Sequence, residues 1–333
     1  MTKSNILVTG GTGTIGSEIV RQLIHQTDKN IVVLSRDEIK QFIFSREINS
    51  ERLKLITGDV TNRKFVDFVF STNNFESVFH AAAMKHLLVC EDNPEECARV
   101  NIEGTKNIVE NCLEHGVSKT INISTDKAAS PVSVMGASKF IAERISLNKN
   151  YSPNSIFSVV RFGNVACSRG SVIPVMLNDV LQRGQILVSD PNVTRFVMST
   201  KSAVELVLRS HRLMKGNEIF ILKMEAFRLG RLAEIIKEIS KTFFKKDIEI
   251  SYGTLSPNEK LHEDLISASK STKIYENKDM YVVNDSHTLK NYQGFNEVSE
   301  INYKSNTTSH ISDDDLREMV EEYILNNNIK FYD

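Results

Sequence analysis

Four consecutive residues with polar or charged side chains, Ser124, Thr125, Asp126 and Lys127, directly follow an apolar run near the middle of the sequence. A carboxyl group beside an amine can act as a general acid and base when burial moves both pKa values toward neutrality. The apolar run predicts a buried strand, and ligands of open parallel sheets bind beyond the carboxyl ends of the strands. We therefore interpret Asp126 and Lys127 as an acid–base pair; an ordinary exposed ion pair in a loop is the alternative.

A second lysine and a methionine follow in the same stretch. Lys139 lies in the segment GASKFIAERI, which predicts a helix, and Met135 lies four residues before it. A tyrosine in place of Met135 would complete the Y-x-x-x-K motif of dehydrogenases, in which the phenol accepts a proton from a substrate hydroxyl. A thioether cannot accept that proton. The sequence thus predicts either another proton acceptor or a protein that binds a cofactor without catalysis.

A glycine-rich loop lies near the amino terminus, between a predicted strand and a predicted helix. The run from Ser4 to Thr9 is rich in β-branched residues, and GGTGTIG follows it. Glycines in this spacing allow a tight turn, close approach of backbone amides to a pyrophosphate, and packing of the next helix against the strand. The pattern predicts a dinucleotide site that includes Gly10, Gly13, Thr14, Ile15 and Gly16.

The end of the second predicted strand, Asn30 to Leu34, bears on which dinucleotide is bound. An NAD-binding fold places an acidic residue about 20 positions after the glycines, where it holds the ribose 2′-hydroxyl. Here Ser35 and Arg36 follow the strand, a pair that suits a 2′-phosphate. The sequence favours NADP, with NAD as the alternative because Asp37 is close enough to hold the hydroxyl.

Two further strand ends predict contacts with the same cofactor. The strand from Leu53 to Thr57 precedes Asp59 and Val60, where an acid can hydrogen-bond the adenine amino group, although Asp59 also suits a simple turn. The strand from Ser77 to His80 precedes three small residues that would let the backbone approach the cofactor closely. These are Ala81, Ala82 and Ala83.

The alternation of elements predicts the fold class. Five strand–helix alternations in about 150 residues indicate an α/β protein with a doubly wound parallel Rossmann sheet. Asn101, in a helical pattern from about 94 to 115, is expected to bridge that helix to the strand before Ser124. A loop rich in glycine and serine near residue 165 predicts a boundary. We expect 1–164 to form the dinucleotide-binding domain and 165–333 mainly a smaller lobe for substrate, with some segments returning to the first domain.

The second half of the chain carries further helical patterns. The sequence predicts helices at about 175–183, 202–214 and 231–242, and another within GTLSPNEKLHEDLI, residues 253–266. Near the end, Ser312 is expected to cap an amphipathic helix.

Composition narrows the function classes. The 333 residues carry a formal net charge of −1, which argues against a surface dedicated to nucleic acid or anionic membranes. No apolar stretch approaches the roughly 20 residues of a membrane helix, and the few residues before the first strand leave no room for a signal peptide. The four cysteines lack C-x-x-C spacing, and no cluster has metal-ligand spacing. We expect free buried thiols and a cytoplasmic protein.

Ten motifs together resemble one family. In chain order they are TGGTGTIG, SRDE, GDV, HAAAMKH, STDKA, MGASK, RFGNV, SRGSVIP, TRF and EKLHE. They resemble the extended short-chain dehydrogenase/reductases that act as UDP-N-acetylglucosamine 4,6-dehydratases in bacterial polysaccharide and flagellin-glycan biosynthesis. The similarity runs from about residue 5 to 266 and is most specific in STDKA, MGASK and SRGSVIP. It implies a homo-oligomeric lyase with a tightly bound cofactor and a UDP-sugar substrate.

The resemblance also implies a reaction and a set of roles. UDP-N-acetylglucosamine is oxidised at C4, loses water across C5 and C6, and receives hydride back at C6, which yields a UDP-2-acetamido-2,6-dideoxy-4-keto-hexose. Asp126 corresponds to the acid at the C6 oxygen and Lys127 to the base at C5. Thr125 corresponds to a residue that orients the 4-hydroxyl, and Lys139 to one that holds the nicotinamide ribose.

Some members of the family carry methionine at the position of Met135. We therefore expect Asp126 or Lys127, directly or through Thr125 or a water, to accept the C4 hydroxyl proton. The lack of a visible second acid–base group slightly favours retention at C5 over inversion.

The family's nucleotide-sugar contacts map mainly onto the second half of the chain. Arginine suits a diphosphate because its planar fork donates two parallel hydrogen bonds. The relatives' R-P-G-E-K motif is changed here by Ser256 and Asn258, which leaves Arg195 as the main expected phosphate contact. The implied residues are Lys85, Arg161, Asn164, Arg169, Ser171, Val172, Arg195, Glu259 and Lys260.

Two other functions compete with this interpretation. A nucleotide-sugar epimerase or reductase on the same fold needs redox chemistry at C4 without elimination, so it would not explain Asp126 and Lys127. A non-catalytic NADP-binding sensor is favoured by Met135, but it needs neither the acid–base pair nor the arginines of the second lobe.

Overall fold

The computed structural model describes residues 4–148, 154–266, 273–284, 292–298, 301–327 and 329. The chain forms two compact units. Unit 1 comprises 1–162, 201–223 and 268–301, and unit 2 comprises 163–200, 224–267 and 302–333.

Strands and helices alternate through the first part of the chain. The strands are β1 (Asn5–Thr9), β2 (Asn30–Ser35), β3 (Leu53–Thr57), β4 (Phe75–His80), β5 (Lys119–Thr125), β6 (Ile156–Phe162), β7 (Asn164–Val165), β8 (Gln185–Val188), β9 (Thr194–Met198), β10 (Glu218–Leu222), β11 (Glu225–Arg228), β12 (Glu249–Tyr252), β13 (Asp264–Ile266), β14 (Lys273–Glu276), β15 (Met280–Asn284), β16 (Asn296–Val298) and β17 (Tyr303–Lys304). The helices are α1 (Thr14–Gln26), α2 (Glu38–Ile48), α3 (Arg63–Ser71), α4 (Leu87–Asp92), α5 (Pro94–Ala98), α6 (Gly104–Glu114), α7 (Val134–Ser146), α8 (Val172–Arg183), α9 (Thr200–Leu213), α10 (Leu229–Phe243) and α11 (Asp313–Asn326).

Unit 1 is organised around a large sheet in which seven neighbouring strands run parallel, in the order β3-β2-β1-β4-β5-β6-β10. The chain adds β2 and β3 on one side of β1 and β4, β5 and β6 on the other, so the strand order reverses between β1 and β4, as in dinucleotide-binding folds. The doubly wound α/β sheet predicted from the sequence is confirmed. Three antiparallel strands, β15, β14 and β16, extend the sheet beyond β10, and they were not predicted from the sequence.

The strands of unit 1 are apolar because helices cover both faces of the sheet. In β1, Leu7 and Val8 are fully buried, and in β2 Val33 and Leu34 are as well. One face packs against α3 and α6, where Ile108 belongs to the same apolar cluster as Leu7. This burial fixes the register of the strands, and therefore where the carboxyl end of each strand lies along the edge of the sheet.

The segment predicted as one long helix at about 94–115 consists of three consecutive helical elements: α5, a π-helical turn and α6. Residues Arg99–Glu103 form a π-helical turn between α5 and α6. A π-turn inserts one extra residue per turn and often occurs at functional sites. The helical periodicity of the sequence does not reveal it, because the apolar positions on both sides still follow one face.

Within the described residues, unit 2 contains small sheets and the helices α8, α10 and α11. Strand β9 pairs with β7 and β11, β8 pairs with β12, and β13 pairs with β17. Helices α8, α10 and α11 share one apolar core, which includes Leu177, Ile236 and Val320. Ser312 caps α11 by accepting a hydrogen bond from the amide of Asp315, as expected.

The helix predicted within residues 253–266 is wrong. This segment forms a turn, an irregular stretch and the short strand β13. Its backbone carbonyls are used by neighbouring chain segments: Leu261 accepts from the amide of Thr194, and Glu263 accepts from the amide of Ser305. Tertiary pairing therefore outcompetes the helix that the local sequence favours.

No helix in the described ranges is long and apolar enough to cross a membrane. The four cysteines are free, and Cys90, Cys97 and Cys112 are buried.

Candidate active site

The glycine loop between β1 and α1 packs closely against the residues that follow β4. Gly10 has a φ of +65°, and a Cβ on it would lie 2.7 Å from the backbone nitrogen of Ala82. A Cβ on Gly16 would lie 2.3 Å from the carbonyl oxygen of Gly10, so this glycine lets α1 pack on the loop. Gly13 is the N-cap of α1 and leaves the first-turn amides without a side-chain cap. These residues, with Thr14 and Ile15, fit a dinucleotide phosphate at the helix amino end.

The end of β2 holds its side chains in a defined arrangement. The Ser35 hydroxyl accepts hydrogen bonds from Thr12 Oγ1 at 3.1 Å and from Gln41 Nε2 at 3.0 Å. Asp37 caps α2 by accepting a hydrogen bond from the amide of Lys40. The Lys40 side chain holds the pKa of the Asp37 carboxyl below its usual range. Arg36 is half-exposed at the same strand end. Asp37 is thus held at the cap of α2, and Arg36 lies within 4 Å of the carboxylates of Asp59 and Glu96.

Asp59 lies beside Arg36, just after β3. Arg36 Nη1 is 3.6 Å from Asp59 Oδ2, and the Asp59 carboxylate also accepts from the amide of Thr61 at 2.9 Å. Partial burial opposes ionisation, but these contacts still lower the pKa of Asp59. Val60 is buried, and its carbonyl accepts from Asn107 Nδ2 at 2.9 Å. Asn107 was not singled out from the sequence.

Residues Ala81 to Ala83 leave β4 directly beside the glycine loop. The amide of Ala81 donates to the Thr9 carbonyl, and that of Ala82 donates to Thr9 Oγ1. His80 is buried between the hydroxyls of Thr9 and Thr105, and burial, aided by the Lys139 charge, lowers the pKa of His80 to about 3. The histidine is therefore neutral and structural.

Asn101 occupies the π-helical turn and is buried. Its side chain forms a pair of hydrogen bonds with the backbone of Met84, accepting from the amide at 2.8 Å and donating to the carbonyl at 3.0 Å. Its Nδ2 also lies 2.9 Å from Ser138 Oγ of α7. Asn101 thus links the segment after β4 with α7, whereas the sequence suggested a link to the strand before Ser124.

Thr125, Asp126 and Lys127 lie together at the carboxyl end of β5. Thr125 Oγ1 donates to Asp126 Oδ1 at 2.8 Å, and Lys127 Nζ donates to the same oxygen at 3.1 Å. The Asp126 side chain is 1% exposed and that of Lys127 is 17% exposed. Asp126 Oδ2 is buried and has no hydrogen-bond partner among the residues that the structure describes. An ion pair this buried is unlike an ordinary surface pair, and it leaves one carboxylate oxygen for another partner.

Lys139 is buried below this site, and its ammonium donates to the Ile123 carbonyl at 2.5 Å. Burial lowers the pKa of Lys139 to about 8, while the charge of Glu143 opposes the shift. The lysine holds the last part of β5 from the side of α7.

Met135 packs as a core residue. It is 4% exposed and forms an apolar cluster with Cys90 and Cys97, against which Met84 and Leu87 also pack. Its thioether therefore fills space between α4, α5 and α7 and accepts no proton.

Gly136 was not singled out from the sequence, although it follows Met135. A Cβ on Gly136 would lie 2.4 Å from the carbonyl oxygen of Lys127, so only glycine allows α7 to approach the acid–base pair this closely. The amide of Gly136 is taken by Ser133, the N-cap of α7.

The substrate residues expected on the remainder of the chain lie in unit 2, apart from Lys85 and Arg161. Arg195 is 7% exposed, donates to Glu259 at 2.5 Å and lies 3.8 Å from Glu263. Its guanidinium is therefore already matched by carboxylates. Lys260 lies 3.5 Å from Asp264 in the same charged cluster.

Ser171 is the N-cap of α8, and the helix begins three residues earlier than the predicted start at about residue 175. Its hydroxyl oxygen is buried without a hydrogen-bond partner within the described ranges. Val172 begins the helix, Arg169 is exposed nearby in sequence, and Asn164 lies in β7. Lys85 is exposed between β4 and α4.

Comparison with known proteins places these features in a family. A family model described as polysaccharide biosynthesis protein matches residues 6–285. An uncharacterized membrane protein of Methanocaldococcus jannaschii is 43% identical over 284 residues, which cover 84% of this chain and 85% of that protein. A UDP-N-acetylglucosamine 4,6-dehydratase (inverting) of Campylobacter jejuni is 38% identical over 290 residues, or 86% of this chain and 84% of that enzyme.

Two further similarities cover nearly the whole chain. A UDP-glucose 4-epimerase of Rickettsia rickettsii is 32% identical over 328 residues, which cover 95% of this chain and 94% of that protein. The X-ray structure of Pen from Bacillus thuringiensis superimposes with a TM-score of 0.88 at 34% identity and covers 98% of both chains.

Proposed function

Because this chain belongs to the polysaccharide biosynthesis protein family of extended short-chain dehydrogenase/reductases, we propose that it is a UDP-N-acetylglucosamine 4,6-dehydratase. The observation that carries the proposal is the buried Asp126–Lys127 pair, with Thr125 hydrogen-bonded to the same carboxylate oxygen. Elimination of water needs an acid and a base held side by side, whereas a simple oxidoreductase does not.

The residues at the end of β5 can account for every proton in the reaction. The proposed mechanism requires Asp126 as a carboxylate and Lys127 as a neutral amine before the sugar reacts. The C4 hydroxyl hydrogen-bonds to Thr125, which passes a proton to Asp126 Oδ1 along the 2.8 Å hydrogen bond. Asp126 then delivers this proton to the departing C6 hydroxyl, and Lys127 removes the proton from C5.

This sequence of transfers answers the problem posed by Met135. The proton released by the C4 hydroxyl is the same proton that the C6 hydroxyl needs in order to leave as water, so no tyrosine is needed. Lys127 returns its proton to C5 at the end of the cycle, which restores the starting state. A lysine that takes and returns the proton from one face favours retention at C5.

A nicotinamide dinucleotide, when bound, would accept hydride from C4 and supply it to C6. Gly10, Gly13 and Gly16 would cradle its pyrophosphate, and Lys139 would hold the nicotinamide ribose. NADP is the proposed form, since Arg36 can meet a 2′-phosphate while Asp37 is committed to the cap of α2. Asp59 would contact the adenine, and Ala81 to Ala83 and Asn101 would shape the wall of the site.

The UDP moiety is assigned to unit 2. The amino end of α8, with Ser171 and Arg169, suits a diphosphate because helix amides and an arginine favour negative charge. Arg195 donates to Glu259, so binding the diphosphate would require it to exchange this contact for one with a phosphate oxygen. Lys85, Asn164 and Val172 complete the proposed substrate contacts.

The proposal is tested with purified protein, UDP-N-acetylglucosamine and three variants. Asp126→Asn and Lys127→Ala remove the acid and the base, and each should lower turnover by at least about 100-fold. Glu205→Gln alters an exposed glutamate of α9 and serves as the matched control. Water loss from the substrate, measured by mass, should persist only in the wild type and the control. Full turnover in Lys127→Ala would contradict the assignment.

Epimerisation at C4 is the second candidate, and the Rickettsia relative called UDP-glucose 4-epimerase favours it. An epimerase product has the mass of the substrate, so the same measurement separates the two reactions. A new sugar of unchanged mass would favour the epimerase.

The configuration at C5 is tested by proton NMR of the fresh product. One lysine acting on one face predicts retention, whereas the Campylobacter relative is named as inverting. Ring coupling constants of the C5-inverted sugar would show that another group delivers the proton to the opposite face.

A further inference from the structure

Helix α7 contacts the end of β5 and the residues just after it at three successive positions. Lys139 Nζ donates to the Ile123 carbonyl at 2.5 Å, and Ser124 Oγ donates to Glu143 Oε1 at 2.5 Å. Gly136 packs against the Lys127 carbonyl with no room for a Cβ. Thr125 and Asp126 lie between the second and third of these contacts, and Lys127 makes the third.

Glu143 is the most buried charge in this arrangement. It is 0% exposed, and Arg161 of β6 binds it in a fork, from Nε at 3.0 Å and from Nη2 at 2.5 Å. Ser124 and Arg161 are directly paired neighbours in the β5–β6 register. One carboxylate thus holds the ends of two adjacent strands together.

We propose that Glu143 is a positioning residue, which clamps Ser124 and Arg161 and thereby fixes Thr125, Asp126 and Lys127 in their reactive arrangement. The inference rests on the proposed dehydratase function. Glu143 touches none of the reacting atoms, so it acts through Ser124 and the strand end.

The energetics of buried ion pairs favour a role for Glu143 in orienting Ser124 over a role in stabilising the fold. A buried ion pair costs much of its attraction in lost hydration, and a well-packed apolar pair often stabilises a fold equally well. What an apolar pair cannot supply is the directional contact with Ser124 Oγ. A displacement of reactive groups by about 1 Å can cost about 100-fold in rate, so a loose strand end should mainly lower kcat.

Two variants separate positioning from folding. The double variant Glu143→Met with Arg161→Met replaces the ion pair by apolar side chains, and it also removes the carboxylate charge that acts on Lys139. Ser124→Ala removes one contact but keeps the ion pair, so it should fold even if the double variant does not. Both should retain cofactor and a thermal midpoint near that of the wild type, with kcat reduced about 10- to 100-fold. KM should be unchanged in Ser124→Ala, the variant that keeps Arg161. Glu205→Gln again serves as the control.

The outcomes are distinct. A kcat loss at constant KM in Ser124→Ala, or in a folded double variant, supports the positioning role. A folded double variant with wild-type kcat, or Ser124→Ala with wild-type kcat, overturns it. Wild-type protein that removes no water from UDP-N-acetylglucosamine would contradict the proposed function itself, and an active wild type with fully active variants contradicts only the role of Glu143.

Discussion

Replacing Gly136 by alanine should damage catalysis more than folding. The new Cβ would lie 2.4 Å from the carbonyl oxygen of Lys127, whereas ordinary contacts begin at 3.4 Å. About 1.0 Å of separation must therefore be gained by moving α7 or the Lys127 backbone. Overpacking of this kind costs roughly 1–3 kcal/mol of stability. A shift of about 1 Å at reacting groups is enough to cost about 100-fold in rate.

The assay compares turnover, substrate affinity and thermal midpoint for Gly136→Ala and a matched glycine variant. Gly253→Ala suits the control because its Cβ would meet only ordinary contacts, the nearest at 3.8 Å from Leu187. We expect kcat to fall about 30- to 100-fold in Gly136→Ala, with bound cofactor retained, and to stay unchanged in Gly253→Ala.

The reasoning fails if Gly136→Ala turns over like the wild type. Such a result would show that the backbone of Lys127 can move by about 1 Å without effect on the chemistry. Loss of activity caused only by loss of folded protein would also be visible, because the thermal midpoint and the bound cofactor would fall with it.

Three other predictions follow from the cofactor side of unit 1. Arg36→Ala should weaken NADP binding about 10-fold or more and leave NAD binding nearly unchanged, as measured by titration; equal weakening of both would contradict the 2′-phosphate assignment. Gly10→Ala, which forces a φ of +65° on alanine and a 2.7 Å contact with Ala82, should abolish cofactor retention, and a cofactor-loaded variant would refute the cradle. The pKa of Lys139 is lowered from 10.5 to about 8, so the folded state binds fewer protons than the unfolded state between these values. The free energy of unfolding should therefore rise with pH across this window, by at most about 3 kcal/mol relative to Lys139→Met, in denaturant titrations; parallel curves would show that the lysine is not desolvated.

The parts of the fold that local patterns specify could be predicted from the sequence. Strand β3 begins and ends at the residues that the sequence indicated, Leu53 and Thr57, and the glycine loop lies between β1 and α1. Asp126 and Lys127 were located because a polar stretch that follows a buried strand marks the ligand edge of the sheet. These signals depend only on neighbours in the chain.

The features that the sequence did not reveal depend on contacts between residues distant in sequence. Residues 253–266 have a helical pattern, but their carbonyls are taken by Thr194 and Ser305. Met135 resembles a damaged catalytic position until Cys90 and Cys97 are seen to pack around it. Such contacts arise from tertiary structure, which overrides local propensity.

Glu143 was missed although a signal was present. It lies four residues after Lys139, on the same face of α7, and an acid on a face that carries a buried lysine must itself find a partner. The partner, Arg161, belongs to a strand that only the sheet register brings beside Ser124. Asn101 gave a similar signal as a polar residue inside a helix, but its partner was misassigned.

The most direct test of the dehydratase proposal is incubation of the purified protein with UDP-N-acetylglucosamine and no added cofactor. The proposal predicts a nucleotide sugar lighter by one water, with a ketone at C4 and a methyl group at C6, formed over many turnovers because the cofactor is regenerated. A product of unchanged mass, or bound cofactor with no change in the sugar, would contradict it.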